Sequence, residues 1–158
     1  MLYPILNVKR KRYSLDGIWN FKQGEYTPGV DTRLSSEDLM VVPSSFNDVA
    51  VESGKRYFIG DNWYERTFTV PSFESDEELV LRFGSVTHQA RVYVNGQLIG
   101  EHIGGFTPFE VRIPEELTTG KKLLISVCAN NILDHTTLPV GNYSEEVLPD
   151  GSVKKKVS

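Results

Sequence analysis

The chain has 158 residues, 39% hydrophobic and 24% charged, enough for one domain with a continuous core. Its net charge of −4 excludes the strongly basic footprint of a nucleic-acid binder. A single cysteine, Cys128, excludes an intrachain disulfide framework and a cysteine-built zinc site.

Residues 1 to 13 read as a lead-in segment. They carry no positively charged start followed by an apolar run, and no stretch of the chain approaches the ~18 apolar residues of a membrane span. A cytoplasmic protein is the expectation, which makes the glycosylation triplet Asn142-Tyr143-Ser144 a chance match. The basic runs Lys9 to Arg12 and Lys154 to Lys156 read as solvated charge.

Asp16-Gly17 signals a turn, and the first firm strand follows, with Trp19 and Phe21 on one face. In Ser35-Ser36-Glu37-Asp38-Leu39 a serine can cap one short helical turn with acidic residues near its start. Val41-Val42-Pro43 reads as extended chain, running into a polar loop over Ser44 to Asp48. From Asn62 to Val70 the chain alternates: Tyr64, Arg66, Phe68 and Val70 form one row, Trp63, Glu65, Thr67 and Thr69 the other. Pro71 closes that strand, because proline cannot donate into a ladder. Leu79 to Phe83 is the next strand, with Leu79, Leu81 and Phe83 facing in, and Gly84-Ser85 is a bulge or bend.

Val86 to Phe109 organises the rest. Val86, His88, Ala90, Val92 and Val94 form one row, Thr87, Gln89, Arg91, Tyr93 and Asn95 the other, and Asn95-Gly96 has the residues of a type I′ hairpin turn. Phe109, Val111 and Ile113 line a further strand, Gly120 turns the chain, and Lys122 to Asn130 is apolar enough for a sandwich core. Leu148-Pro149-Asp150-Gly151 is another turn, and Ser152 to Ser158 looks like the start of a strand. Short strands divided by turns, with hardly any helical periodicity, imply an all-β fold: an antiparallel β-sandwich of jelly-roll type over residues 1–158. Its ending fits a chain cut from a longer protein.

Catalytic chemistry is sparse. A glycosidase needs two carboxylates across the scissile bond, about 5 to 5.5 Å apart for retention or about 6.5 to 9.5 Å for inversion. Here Glu74, Asp76, Glu77 and Glu78 read as an acidic loop, Glu115-Glu116 as a turn, and Glu145-Glu146 as loop charge. His88, His102 and His135 lack metal-ligand spacing, so no metal or cofactor is implied, and His88 reads as a satisfied core histidine. Cys128, in an apolar run, reads as a buried, inert thiol, and Gly104-Gly105 as backbone geometry.

Aromatic rings and amides together suit a sugar, a ring covering its apolar face while amides meet its hydroxyls. Asn62, Trp63 and Tyr64 are the densest such group, with Asn131 and His135 as weaker candidates for carbohydrate or interdomain contact. Packing of Trp63 and Tyr64 between the sheets or against a neighbouring domain is the competing reading.

Leu15 to Phe21, Val42-Pro-Ser-Ser-Phe-Asn-Asp48, Trp63-Tyr64, Leu81 to Phe83, Val86-Thr-His88, Val92-Tyr-Val-Asn-Gly96, His102-Ile-Gly-Gly-Phe-Thr-Pro-Phe-Glu110 and Val127 to Asn131 form an ordered set. Together they resemble the N-terminal domain of bacterial β-glucuronidases of glycoside hydrolase family 2. The resemblance implies a galactose-binding-domain-like jelly roll that precedes an immunoglobulin-like domain and a (β/α)₈ barrel. Those two domains, outside this sequence, are the implied partners, with a homo-oligomer and a carbohydrate as further ones; nucleic acid and membrane are not. The family's two catalytic glutamates lie on the barrel, and an aspartate segment that approaches its active site would follow Ser158. A non-catalytic piece of a retaining, metal-free β-glucuronidase is therefore expected, and a self-sufficient carbohydrate-binding module is the alternative.

Overall fold

A computed structural model describes residues 10–35, 38–72, 74, 76–133, 143–151 and 153–157. Alternation through β3 (Asp61–Thr69) and the apolar run of β8 (Lys122–Asn130) produce the two longest strands, and these pair antiparallel from Asp61 against Asn130 to Thr69 against Lys122. On one side β3 is flanked by β1 (Gly17–Gln23) and then β2 (Leu39–Val42); on the other, β8 is flanked by β5 (Gln89–Val94) and then β6 (Gln97–Ile103). The result is a six-stranded antiparallel sheet in the order β2-β1-β3-β8-β5-β6. β4 (Val80–Phe83) and β7 (Phe109–Arg112) pair separately and lie against one face of it.

The core fills the space between these layers, and the molecule is an antiparallel β-sandwich. Leu81, Val111 and Ile113 meet Trp19, Val92, Val94, Leu123, Ile125 and Val127, all nearly or fully removed from solvent. β8 is buried on both faces, which is why its sequence runs apolar without alternating. Gly100 lets β6 and β7 close together, since a Cβ there would lie 2.6 Å from the Val111 side chain. Between Val92 and Tyr93 the β5–β6 pairing slips by one residue, a bulge with no clear sequence signal.

The hairpin turn takes the expected form, with Asn95 at φ 49° and Gly96 at φ 80°. Asn95 also ties it to the sheet, its side chain accepting from Leu124 N–H at 2.9 Å. A Cβ on Gly96 would stand 2.7 Å from the Gly29 backbone, so geometry and space both demand glycine. The Gly96→Val variant is expected to lose more than about 1 kcal/mol of stability, read as a lower midpoint in a thermal melt. An unchanged midpoint would contradict the turn assignment.

Three expectations are corrected. The short helical turn expected over Ser35 to Leu39 gives way to strand at its end: Leu39 opens β2, opposite Asn20, while Ser36 and Glu37 lie outside the described residues. The polar loop expected over Ser44 to Asp48 instead contains α1 (Phe46–Val49), one turn of helix that seats Phe46 against Phe21 and Met40. Glu145 and Glu146 are not in a loop but in β9 (Tyr143–Val147), which pairs with β10 (Val153–Val157) so that they stand opposite Lys155 and Lys154. Opposite charges at facing register positions are the sequence signal of that hairpin. Its turn, Leu148 to Gly151, is the one expected, with Gly151 N–H donating to Leu148 O at 2.9 Å. The hairpin rests against α2 (Ser53–Arg56) through a hydrogen bond between Ser53 and Asp150, and Lys154 sits 4.7 Å over the Tyr57 ring.

Candidate functional site

The densest polar and aromatic grouping is built where β3, β8 and β5 run side by side. Register places Trp63 opposite Cys128 and Cys128 opposite Arg91, on the sheet face turned away from the main core. One step along, Asp61 stands opposite Asn130. Arg91 Nη2 donates to Asp61 Oδ2 at 2.7 Å and to Cys128 Sγ at 3.3 Å, and its guanidinium lies 5.6 Å over the Trp63 ring. Asn130 Nδ2 donates to Asp61 Oδ1 at 2.7 Å, so both carboxylate oxygens are engaged. Burial pushes the Asp61 carboxyl up, but hydrogen bonds from Asn130 and Cys128 and the Arg91 charge outweigh it and hold the group below its ordinary value.

A long connection between β1 and β2 covers this face. Leu34 packs on Trp63 and Cys128, and the Tyr26 ring meets Trp63 edge-on at 5.3 Å. Beneath it lies Glu65, 1% exposed, a member of the Trp63 row with a role that alternation alone does not announce. Its carboxylate accepts from Leu34 N–H at 2.8 Å, Tyr26 O–H at 2.8 Å and Ser126 O–H at 3.0 Å. A buried carboxylate must be satisfied in this way. The signal was present: an acid on the same row as Trp63, facing Asn20 on one side and Ser126 on the other.

The expected contact residues fall in distinct places. Asn62 is 0% exposed, accepting from Gln23 Nε2 at 3.1 Å and donating to Gly60 O at 3.1 Å. Trp63 is 2% exposed, enclosed by Tyr26, Tyr93, Leu34 and Cys128, and its indole Nε1 is buried without a partner among the described residues. Tyr64 points to the opposite face, its ring 5.1 Å from that of Phe21, and burial pushes its phenol up to about 12. Asn131 clamps the loop before β3, donating to Phe58 O at 2.8 Å and accepting from Gly60 N–H at 2.8 Å. His135 lies outside the described residues. Trp63 thus stands beside Arg91 and Asp61, Asn62 and Tyr64 lie on the other face of the sheet, and none of the four forms a ring-and-amide platform in solvent.

His88 corrects a further expectation. Its Nδ1 is buried with no partner among the described residues, so it is not a satisfied core histidine there; burial holds its pKa below the ordinary value. The acidic connection is paired outward, Glu77 with Lys11 at 3.5 Å and Glu78 with Arg112 at 2.9 Å. Among the described residues no three His, Cys, Asp or Glu side chains gather as metal ligands. A cleft of ≈ 240 Å³ opens beside β2, with Phe21, Met40 and Val49 in its lining and Lys55 bridging Asp38 and Glu52 at its rim. That is below the about 300 Å³ at which small-molecule pockets begin.

Cys128 behaves as the sequence implies. It is 1% exposed, and burial pushes its thiol up to about 12 against the lowering effect of Arg91. Because the folded state holds this proton more tightly than the unfolded state, its contribution to stability is complete below the unfolded thiol value of about 8.5 and is lost as pH rises toward 12. Urea midpoints are expected to fall with pH across that window, and Cys128→Ala to flatten the early part of the decline; equal slopes for both proteins would contradict it.

With the geometry in place, relatives give it a context. A family model described as "Glycosyl hydrolases family 2, sugar binding domain" matches residues 12–140. The chain belongs to that family. It is 59% identical to the β-glucuronidase of Streptococcus agalactiae serotype V over 157 residues, covering 99% of this chain and 26% of the relative. The human β-glucuronidase is 36% identical over 158 residues, covering 89% of this chain and 24% of that protein. Among solved structures, Lactobacillus rhamnosus β-glucuronidase superposes with a TM-score of 0.82 at 37% identity, over 98% of this chain and 27% of that one. This family 2 sugar-binding domain therefore spans about a quarter of the length of the relatives it matches, and shares their jelly-roll sandwich.

Proposed function

We propose that the chain is the non-catalytic N-terminal domain of a β-glucuronidase, a scaffold on which the catalytic part of the same polypeptide is mounted. The observation that carries this reading is the 59% identity to a β-glucuronidase along 99% of the chain, combined with coverage of only 26% of that relative. The charged groups of the site support it. Asp61, Arg91 and Asn130 are tied to one another, and Glu65 is sealed beneath a covering loop, so these groups hold strands and loops in place rather than a reacting bond. In the longer protein, hydrolysis of β-D-glucuronides with retention requires two carboxylates about 5 to 5.5 Å apart, supplied outside this domain.

The test is paired. The polypeptide encoded by the whole reading frame is expected to release chromophore from a p-nitrophenyl β-D-glucuronide, and the 158-residue chain alone to give no turnover above background. Turnover by the short chain, or none by the long one, would overturn the reading.

A further inference from the structure

One motif has no role in the function proposed so far: Gly104-Gly105-Phe106-Thr107, between β6 and β7. Its tip carries a strongly exposed aromatic ring, Phe106 at 75%. An exposed phenylalanine on a slack loop would fold back onto the nearest apolar surface. This loop is not slack. Gly104 sits at φ +124° and donates its N–H to His88 O at 2.8 Å. His102 Nε2 and Thr107 Oγ1 are 3.1 Å apart across the loop, and the His102 ring stacks on Phe109 at 4.3 Å. Gly105 presses on the layer below so closely that a Cβ there would lie 3.2 Å from both His88 Nδ1 and Thr87 Cγ2.

The surroundings point the same way. Register aligns Ile103, Gln89 and Asn130 at this end of the sheet, and Ile103 and Ile132 are 58% and 40% exposed there. The buried Nδ1 of His88, without a partner among the described residues, lies directly under the loop. Rigid aromatic side chains with apolar neighbours are the usual anchors of protein interfaces, because little entropy is lost when they dock.

We propose that Phe106 is the anchor by which this domain docks on the remaining domains of its own polypeptide, its ring entering an apolar pocket there. The inference rests on the reading of the chain as part of a longer β-glucuronidase, and the occupant follows from relatives about four times its length. The loop's fixed geometry makes Phe106 a preformed plug that reports whether the catalytic part is seated.

Hydroxyl-radical footprinting of the full-length polypeptide, read by mass spectrometry at Phe106, tests the proposal. Oxidation of Phe106 is expected to be at least about fivefold slower in the native protein than in denaturant. A native rate close to the denatured one would overturn it, because the ring would then be as exposed as in the domain alone. Protection that disappears when the protein is diluted to its monomer would assign the face to a second copy and also overturn it. Phe106→Asp, which disturbs nothing inside the sandwich, is expected to split one thermal transition into two; a single unchanged transition counts against docking. Footprinting is independent of activity: protection in a protein that cleaves no glucuronide would keep the dock and reject the enzyme assignment, while cleavage without protection would do the reverse.

Discussion

Replacement of Trp63 by alanine is expected to destabilise the chain by about 3 to 5 kcal/mol, the range for buried tryptophan. The indole is 2% exposed and is the common contact of Tyr26, Tyr93, Leu34, Cys128 and Arg91. Removing it leaves a cavity that the paired strands β3 and β8 cannot close without breaking their ladder. Phenylalanine, which fills most of that volume and carries no orphaned N–H, is expected to cost far less. A urea titration followed by circular dichroism measures both; a Trp63→Ala loss below about 1 kcal/mol would mean that the ring is not the packing centre of this face.

Glu65 supplies the second large effect, and here shape is separated from chemistry. In Glu65→Leu, side-chain volume is kept but the Leu34 N–H and the Tyr26 and Ser126 hydroxyls lose their acceptor, so a loss on the order of 3 kcal/mol is expected. In Glu65→Gln the amide oxygen can accept from Leu34 N–H while its NH₂ donates to the two hydroxyls, which can rotate to accept. The glutamine variant is expected to stay within about 1.5 kcal/mol of the parent. Equal losses for the two variants would show that the negative charge itself, rather than completed hydrogen bonding, holds the covering loop.

Much of this architecture was legible in the residues because one physical rule dominates it. Period-two alternation places β3, β4, β5 and β7, an unbroken apolar run places β8, and Asn95-Gly96 fixes the register of the hairpin. The misreadings come where a tertiary contact overrides local composition. Ser44 to Asp48 is polar enough for a loop, yet α1 forms because Phe46 has Phe21 and Met40 to pack on. Leu39 follows acidic residues suited to a helix start, but β1 offers it a ladder. At the site, the row holding Trp63 and Glu65 was visible, whereas the loop that buries it was not. No periodicity announces that Leu34, some thirty residues earlier in sequence, will reach across and use its backbone N–H to close on the acid.

The pairing of β3 with β8 has a kinetic consequence. The two strands that form the middle of the sheet are separated by the whole of β4 to β7, so their alignment requires the ends of a loop of some fifty residues to meet before any ladder bond rewards it. The β5–β6 hairpin, closed by two residues, needs only microseconds. Folding of this domain is therefore limited by a long-range search rather than by its most recognisable motif. A hairpin variant such as Gly96→Val should accordingly act chiefly on the unfolding rate, whereas changes along β3 or β8 should slow refolding.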